Sequence, residues 1–385
     1  MKVGRLLPDH PAGGAGAVVL VLTALIAGGC SGAAPPTASP LSAAPSAAPK
    51  ASNAASRSTA PAPSPASAAP KPAPPSEPAS AAGGAVKIAF AQPAAAFAPL
   101  WLAQDRGLFK KYGLETEVLR VAPPADVQAV IGGDIQIAVG GTAAISAMAN
   151  GANLTFIAVT VPVYLQSLFG QPSIQKVSDL AGKSVAVTTK GGPSDFALRT
   201  LLAREGVDAS KLNFVYLRDD STILAALQSG QVQGAIITSP NTLRARQAGL
   251  RQLEDLIPLK LHTVTQGSFV RKDWAQQHPD VIGNYLKAYL EGIKEDKTNP
   301  DGAKTTISKW TKIEDQALLD ESYKTTINGL AAYPLAHDED IQNVIDLSIE
   351  AIVKSHKPSD FYANSYLLKL EAFVKGLWPN GIPSA

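Results

Sequence analysis

The sequence predicts an α/β fold built from two similar lobes, and three observations carry that prediction. Short apolar runs alternate with helical stretches and glycine-bearing loops, as parallel βαβ units require. This order of elements occurs twice, with matched positions about 97 residues apart. The folded stretch runs from about Val86 to Gly381, nearly 300 residues, which is enough for two ordinary lobes. The single cysteine of the 385-residue chain, Cys30, lies ahead of that stretch. Neither disulfides nor a thiolate metal site can therefore stabilise the fold, so a packed core must.

The first copy opens with "VKIAFAQPAAAFAPLWLAQDRGLFKKYGLETEVLRV". Val86 to Phe90 reads as a strand, a Pro/Ala loop follows, and a helical stretch runs through Ala103 to a break near Gly107. Leu114 to Val121 alternates as a second strand. A helix from Ala125 breaks at Gly132–Gly133, and Ile135 to Val139 reads as a third strand before another loop and helix. The second copy, "KSVAVTTKGGPSDFALRTLLAREGVDASKLNFVYL" and then "ILAALQSGQVQGAIITSPNT", repeats the sequence of strand, loop, helix, strand, helix and strand. Gln136 matches Gln233 and Ala138 matches Ala235. In such sheets the loops after the strand ends form the natural crevice. If the lobes face one another, residues 92–98, 140–142, 189–194 and 238–241 line a shared cleft. From Phe269 onward the chain reads as helices packed mainly on the first lobe, with Trp274, Trp310, Tyr323 and Trp378 as core or seam residues.

The N-terminal segment reads as an export signal. Lys2 and Arg5 precede an apolar run, Ala17 to Ala27, that is too short to span a bilayer but suits a signal peptide. Small residues then lead into Cys30. This arrangement resembles the lipobox of bacterial lipoproteins, except that Ala27 stands where leucine is preferred. Residues 1–29 are thus expected as a signal peptide, with Cys30 acylated to give a membrane anchor; the alternative is ordinary cleavage leaving a free thiol. Apart from Leu41, residues 31–85 contain no large apolar or aromatic side chain, so they cannot repay the entropy of ordering and read as a Pro/Ala/Ser tether. A formal net charge of +2 without a basic run gives no footprint for nucleic acid.

"APLWLAQDRGLFKKYGLETEV", "GDIQIAVGGTAAISAMANGA" and "VSDLAGKSVAVTTKGGPSDFALRTLLAREGVD" resemble solute-binding proteins of ABC importers, in the nitrate/sulfonate/taurine and thiamine-pyrimidine-precursor group. The resemblance covers essentially residues 86–385. It implies a two-lobed type II periplasmic-binding-protein fold with a hinge, a central ligand cleft and extra C-terminal helices on lobe 1. Lobe 1 is then expected over 86–175 plus 263–385, and lobe 2 over 176–262. It also implies a monomer outside the cytoplasmic membrane that delivers a small-molecule solute to ABC permease transmembrane subunits, with no cofactor. Cargo in similar proteins spans nitrate, sulfonates, pyrimidines and flavins; the aromatic residues below favour an organic solute, sulfonate-like or heteroaromatic, over a bare anion. A sensor subunit with the same lobes is the alternative. The eukaryotic enzymes of the group use a cysteine-rich motif that this chain lacks.

The candidate ligand-binding residues follow the loops. In "TTKGGPSDFALRTLLARE", Gly192 and Pro193 suit a helix start whose free amides favour an anion or polar oxygen, with Gly191, Gly192, Ser194 and Asp195 at the ligand. Asp195 could instead only complement the helix dipole. Gly141 and Thr142 begin a facing helix, where the Thr142 hydroxyl serves either as cap or as ligand donor. Gln92, Phe97 and Trp101 supply a polar arm and two flat faces, although Trp101 could equally pack within its lobe. Tyr164, Thr238 and Asn241 complete the set, together with Ser239. Catalytic signatures fail: "GKS" at 182–184 lacks the glycine a phosphate loop needs, since Val177 stands there. Neither G-x-S-x-G nor H-E-x-x-H occurs, and the histidines show no metal spacing. No enzyme activity is expected.

Overall fold

The strands divide between two separate sheets. The structure, a computed structural model, describes residues 84–383. The expectations for the signal peptide, Cys30 and all but the last two tether residues lie outside the described residues.

The first sheet contains β1 (Val86–Phe90), β2 (Thr116–Arg120), β3 (Ile137–Gly140) and β4 (Leu154–Val163). The second contains β5 (Gln166–Gly170), β6 (Ser184–Val187), β7 (Asn213–Tyr216), β8 (Gly234–Thr238) and β9 (Arg251–Asp255). The chain then returns through β10 (His262–Arg271). The spatial orders are β2-β1-β3-β10-β4 and β7-β6-β8-β5-β9. Both follow one rule: the second strand of the unit, then the first, the third, the strand arriving from the other lobe, and the last. The parallel βαβ expectation holds for the first three strands of each unit. The arriving strand, β10 in one sheet and β5 in the other, runs antiparallel to both of its neighbours.

This placement of β5 corrects the lobe boundary expected at 175/176. β5 pairs with β8 and β9, so the chain has already crossed by Gln166. Only Tyr164 and Leu165 separate it from β4, and neither is a turn-forming residue. The sequence repeat starts at β6, so it could not register a strand that enters ahead of it.

Period-two alternation sends side chains to opposite faces of each sheet. On the first, Ile88, Phe90, Ile137 and Val139 pack beneath the C-terminal helices, whereas Ala89 and Ala138 face a second apolar cluster. On the second, Ala186, Ala235 and Ile237 pack under the helix Asp220–Gln228, whereas Val185, Val187 and Ile236 join the cluster that reaches into the first lobe. Helices cover both faces of each sheet, which is why these strands read as nearly continuous apolar runs.

The long helix Pro279–Thr298 crosses the helix Ala98–Asp105, and Gly292 permits close approach to the Pro99 carbonyl. Trp310 stacks on Trp101 with ring centres 5.4 Å apart and planes 3° from parallel. The helix Asp338–Leu347 packs mainly on β10 of the first lobe, as expected, and also reaches the lobe 2 helix Pro193–Arg204. There Asn343 donates to the Tyr164 hydroxyl (3.0 Å) and the His262 carbonyl (3.1 Å), tying together the two passages between the lobes.

Asp296, on the long helix, is 1% exposed, and its Oδ1 has no hydrogen-bond partner. Burial pushes its carboxyl up to about 7, with Lys297 partly opposing the shift. Because the folded state holds this proton above the unfolded value, ionisation destabilises the fold as pH rises from about 4 through 7. Asp296→Asn is expected to raise stability at pH 8 by about 1–3 kcal/mol. The gain should shrink at pH 5, where the wild-type group is protonated; urea midpoints at the two pH values check this.

Candidate functional site

A cleft of about 250 Å³ lies between the two sheets. Its walls are loops that follow strand ends: 91–97 after β1, 120–123 after β2 and 140–144 after β3 from one lobe, then 188–194 after β6, 218–220 after β7 and Thr238 of β8 from the other. The crossing elements supply Leu165, Gln166, Thr265 and Gln266. The register of β10 is irregular on both sides of Gln266, which re-aims that residue. Its amide then donates to the Ala96 carbonyl (2.9 Å) and fixes the loop after β1.

The helix starts at Ala143 and Pro193 abut across the lobes. Thr142 Oγ1 donates to the Gly191 carbonyl (2.9 Å). A Cβ on Gly141 would lie 2.8 Å from Pro193 Cγ and 2.8 Å from the Thr265 carbonyl oxygen, so only glycine permits this approach. Thr142 is therefore spent on an inter-lobe bond.

Six of the expected residues line the cleft: Gln92, Phe97, Gly141, Gly192, Ser194 and Thr238. The Ser194 hydroxyl accepts from the Thr188 amide (2.8 Å) and shares a hydrogen bond with Thr188 Oγ1 (2.6 Å), which holds the loop against the helix start. The other expectations are corrected. Trp101 is fully buried between Phe90, Phe97 and Trp310, because the helix face it shares with Phe97 turns into the lobe. Tyr164 is fully buried where the chain crosses, its hydroxyl bonded to Thr200 Oγ1 (2.9 Å) and Asn343. Burial raises its pKa above the usual phenol range. Asp195 accepts from the Gly191 amide (2.8 Å) and Arg199 Nε (3.1 Å), so its charge is answered within the protein. Asn241 is buried and accepts from Arg244 (2.7 Å), and Ser239 is buried as well. Gly191, in a left-handed conformation at φ 71°, forms the turn before the helix rather than the cleft wall.

Sequence reasoning missed the charged residues. Arg120 and Arg218 stand exposed at the rim, one from each lobe. Asp126 and Asp220 each lie in the first turn of the helix that follows the second strand of a unit. Burial pushes both carboxyls up to about 6; hydrogen bonds from Thr238 to Asp220 oppose the shift there. Asp219 caps its helix through the Thr222 amide (2.9 Å), and Arg120 of the other lobe helps hold its carboxyl below the usual range. The strand-end rule already applied to the first and third strands would have reached these residues had it been extended to the second. Among the described residues, no group of three or more His, Cys, Asp or Glu side chains is placed to hold a metal ion.

Comparison with known proteins fits this geometry. The profile of the family described as "NMT1/THI5 like" matches residues 94–303, more than half of the chain. The chain belongs to the NMT1/THI5-like family. A taurine-binding periplasmic protein of Escherichia coli K12 is 27% identical over 185 residues, which is 46% of this chain. The match spans about half, 55%, of that relative's length. Among solved structures, a protein from Bordetella bronchiseptica RB50 superposes with a TM-score of 0.65 at 19% identity, covering 77% of this chain and 98% of the other. The periplasmic aliphatic sulphonate binding protein SsuA of Escherichia coli gives 0.60 at 21% identity, covering 72% and 92%. The periplasmic nitrate-binding protein NrtA of Synechocystis PCC 6803 gives 0.62 at 16%, covering 78% and 91%. These similarities establish the two-lobed periplasmic-binding-protein fold for this NMT1/THI5-like chain.

The bond from Thr142 to Gly191 predicts a measurable shift in lobe separation. Thr142→Val removes a hydrogen bond worth about 1 kcal/mol. The variant is expected to show a larger radius of gyration by small-angle X-ray scattering, with little change in its unfolding midpoint.

Proposed function

We propose that this chain is the solute-capturing subunit of an ABC importer and closes its two lobes around a small organic molecule. The observation that supports this most is the cleft itself, whose walls come from equivalent strand-end loops of both sheets. A ligand touching both walls gains contacts that separated lobes cannot offer, and this differential affinity drives closure. The sulphonate-, nitrate- and taurine-binding relatives favour the import reading over that of a sensor subunit. Phe97, Leu165 and Phe269 in the walls favour an organic solute over a bare inorganic ion. The cleft holds the solute without transforming it, and the working unit is a monomer.

Capture is followed by presentation to the permease subunits. Cys30, acylated, holds the chain at the outer face of the membrane, and residues 31–85 link that anchor to the folded body. Among the described residues no helix is long and apolar enough to cross a membrane.

Native mass spectrometry of freshly purified protein is expected to show a bound small molecule. A thermal-shift panel of sulfonates and heterocycles should identify stabilising members, since a ligand at a hundredfold its dissociation constant adds about 2.7 kcal/mol. Turnover of the bound molecule would refute the reading. For the anchor, Cys30→Ser is expected to move the protein from the membrane fraction to the soluble fraction; unchanged membrane association would exclude acylation as the tie.

A further inference from the structure

We propose that the cleft selects solutes carrying a cationic nitrogen, an ammonium or comparable N–H cation, which the carboxylate of Asp126 receives. This rests on reading the cleft as the solute site and names the class of solute it takes.

Asp126 is 2% exposed yet lines the cleft. Its Oδ1 accepts from the amide of the next residue, Val127 (2.8 Å). Its Oδ2 points to the end of β3, only 3.2 Å from where a Cβ on Gly140 would sit, beside the Phe269 ring. Among the described residues no lysine, arginine or histidine nitrogen lies within 4.0 Å of it.

The other acids of the region differ. Asp195 is paired with Arg199 and lies off the cleft wall, Asp219 is exposed and caps its helix through the Thr222 amide, and Asp220 is only half-buried. Of the three acids that line the cleft, Asp126 is the only buried one, and its partners are backbone amides alone, its own and that of Val127. Removing such a group from water is unfavourable unless a partner arrives. Its surroundings, Val127 and Phe269, are apolar, and this burial accounts for a carboxyl pushed up to about 6. An incoming nitrogen cation supplies the missing partner. A simple anion placed there would meet like charge.

The test uses the complete chain and probe pairs that differ only in ammonium against hydroxyl: taurine against isethionate, and 4-(aminomethyl)pyrimidine against 4-(hydroxymethyl)pyrimidine. Titration calorimetry is expected to show the ammonium member of at least one pair binding about tenfold tighter or more. Asp126→Asn should abolish that preference and, without solute, melt at or above the wild-type temperature. Equal binding within the pairs, or a preference that survives in Asp126→Asn, overturns the inference while the cleft remains a solute site. A marked fall in melting temperature for the solute-free variant also overturns it, because Asp126 would then be structural. If neither pair binds, the solute released from the purified protein decides. A basic nitrogen in it, with the solute missing from Asp126→Asn preparations, supports the inference, and a solute without one overturns it. No probe binding and no co-purified solute overturn the cleft reading and this inference together.

Discussion

Two strands that run against their neighbours, β5 and β10, hold the molecule to its plan. Each is the first strand the chain lays down after passing between lobes, and each lies inside a sheet rather than at its edge. A lobe therefore cannot complete its sheet without the chain having crossed, and both passages end up side by side. Asn343 donates to groups on both passages, which fixes their spacing with a single side chain. Because the passages are short and paired, the strand ends of the two units point into one space, and the cleft follows.

The cleft's chemistry follows from where each charge sits relative to that space. Exposed arginines at the rim belong to different lobes, and Arg120 interacts across the gap with Asp219. Further in, the helix starts at Ala143 and Pro193 are close enough for Thr142 to bond the Gly191 carbonyl. Groups the sequence offered as ligand donors are thus partly consumed in joining the lobes. The walls left for a solute combine backbone, glutamine amides, aromatic edges and one buried carboxylate. That mixture suits a small polar organic molecule better than a bare ion.

Much of the fold was legible in the sequence because repetition is a one-dimensional signal. Strand, glycine turn and helix recur in order, and β1, β3, β6 and β8 fall close to where apolar runs and loops place them. Six of the expected residues at strand-end loops do line the cleft, for the same reason. The aromatic expectations failed: Trp101 and Tyr164 carry apolar bulk that serves a core as well as a ligand, and nothing local distinguishes the two uses. Asp195 and Asn241 failed for a related reason. Their partners, Arg199 and Arg244, are on the same helices, but whether side chains meet depends on rotamers and burial.

By itself, the sequence determined the α/β class, the doubling of the unit and the loops that had to be near a shared crevice, since periodicity and turn chemistry act over a few residues. Tertiary structure alone decided that β5 belongs to the second lobe, that Thr142 binds the other lobe, and that Asp126 is buried facing the cleft without a cation. These outcomes depend on groups distant along the chain arriving at the same place. Burial and partner distance, which decide what a polar side chain can do, exist only once the chain has packed.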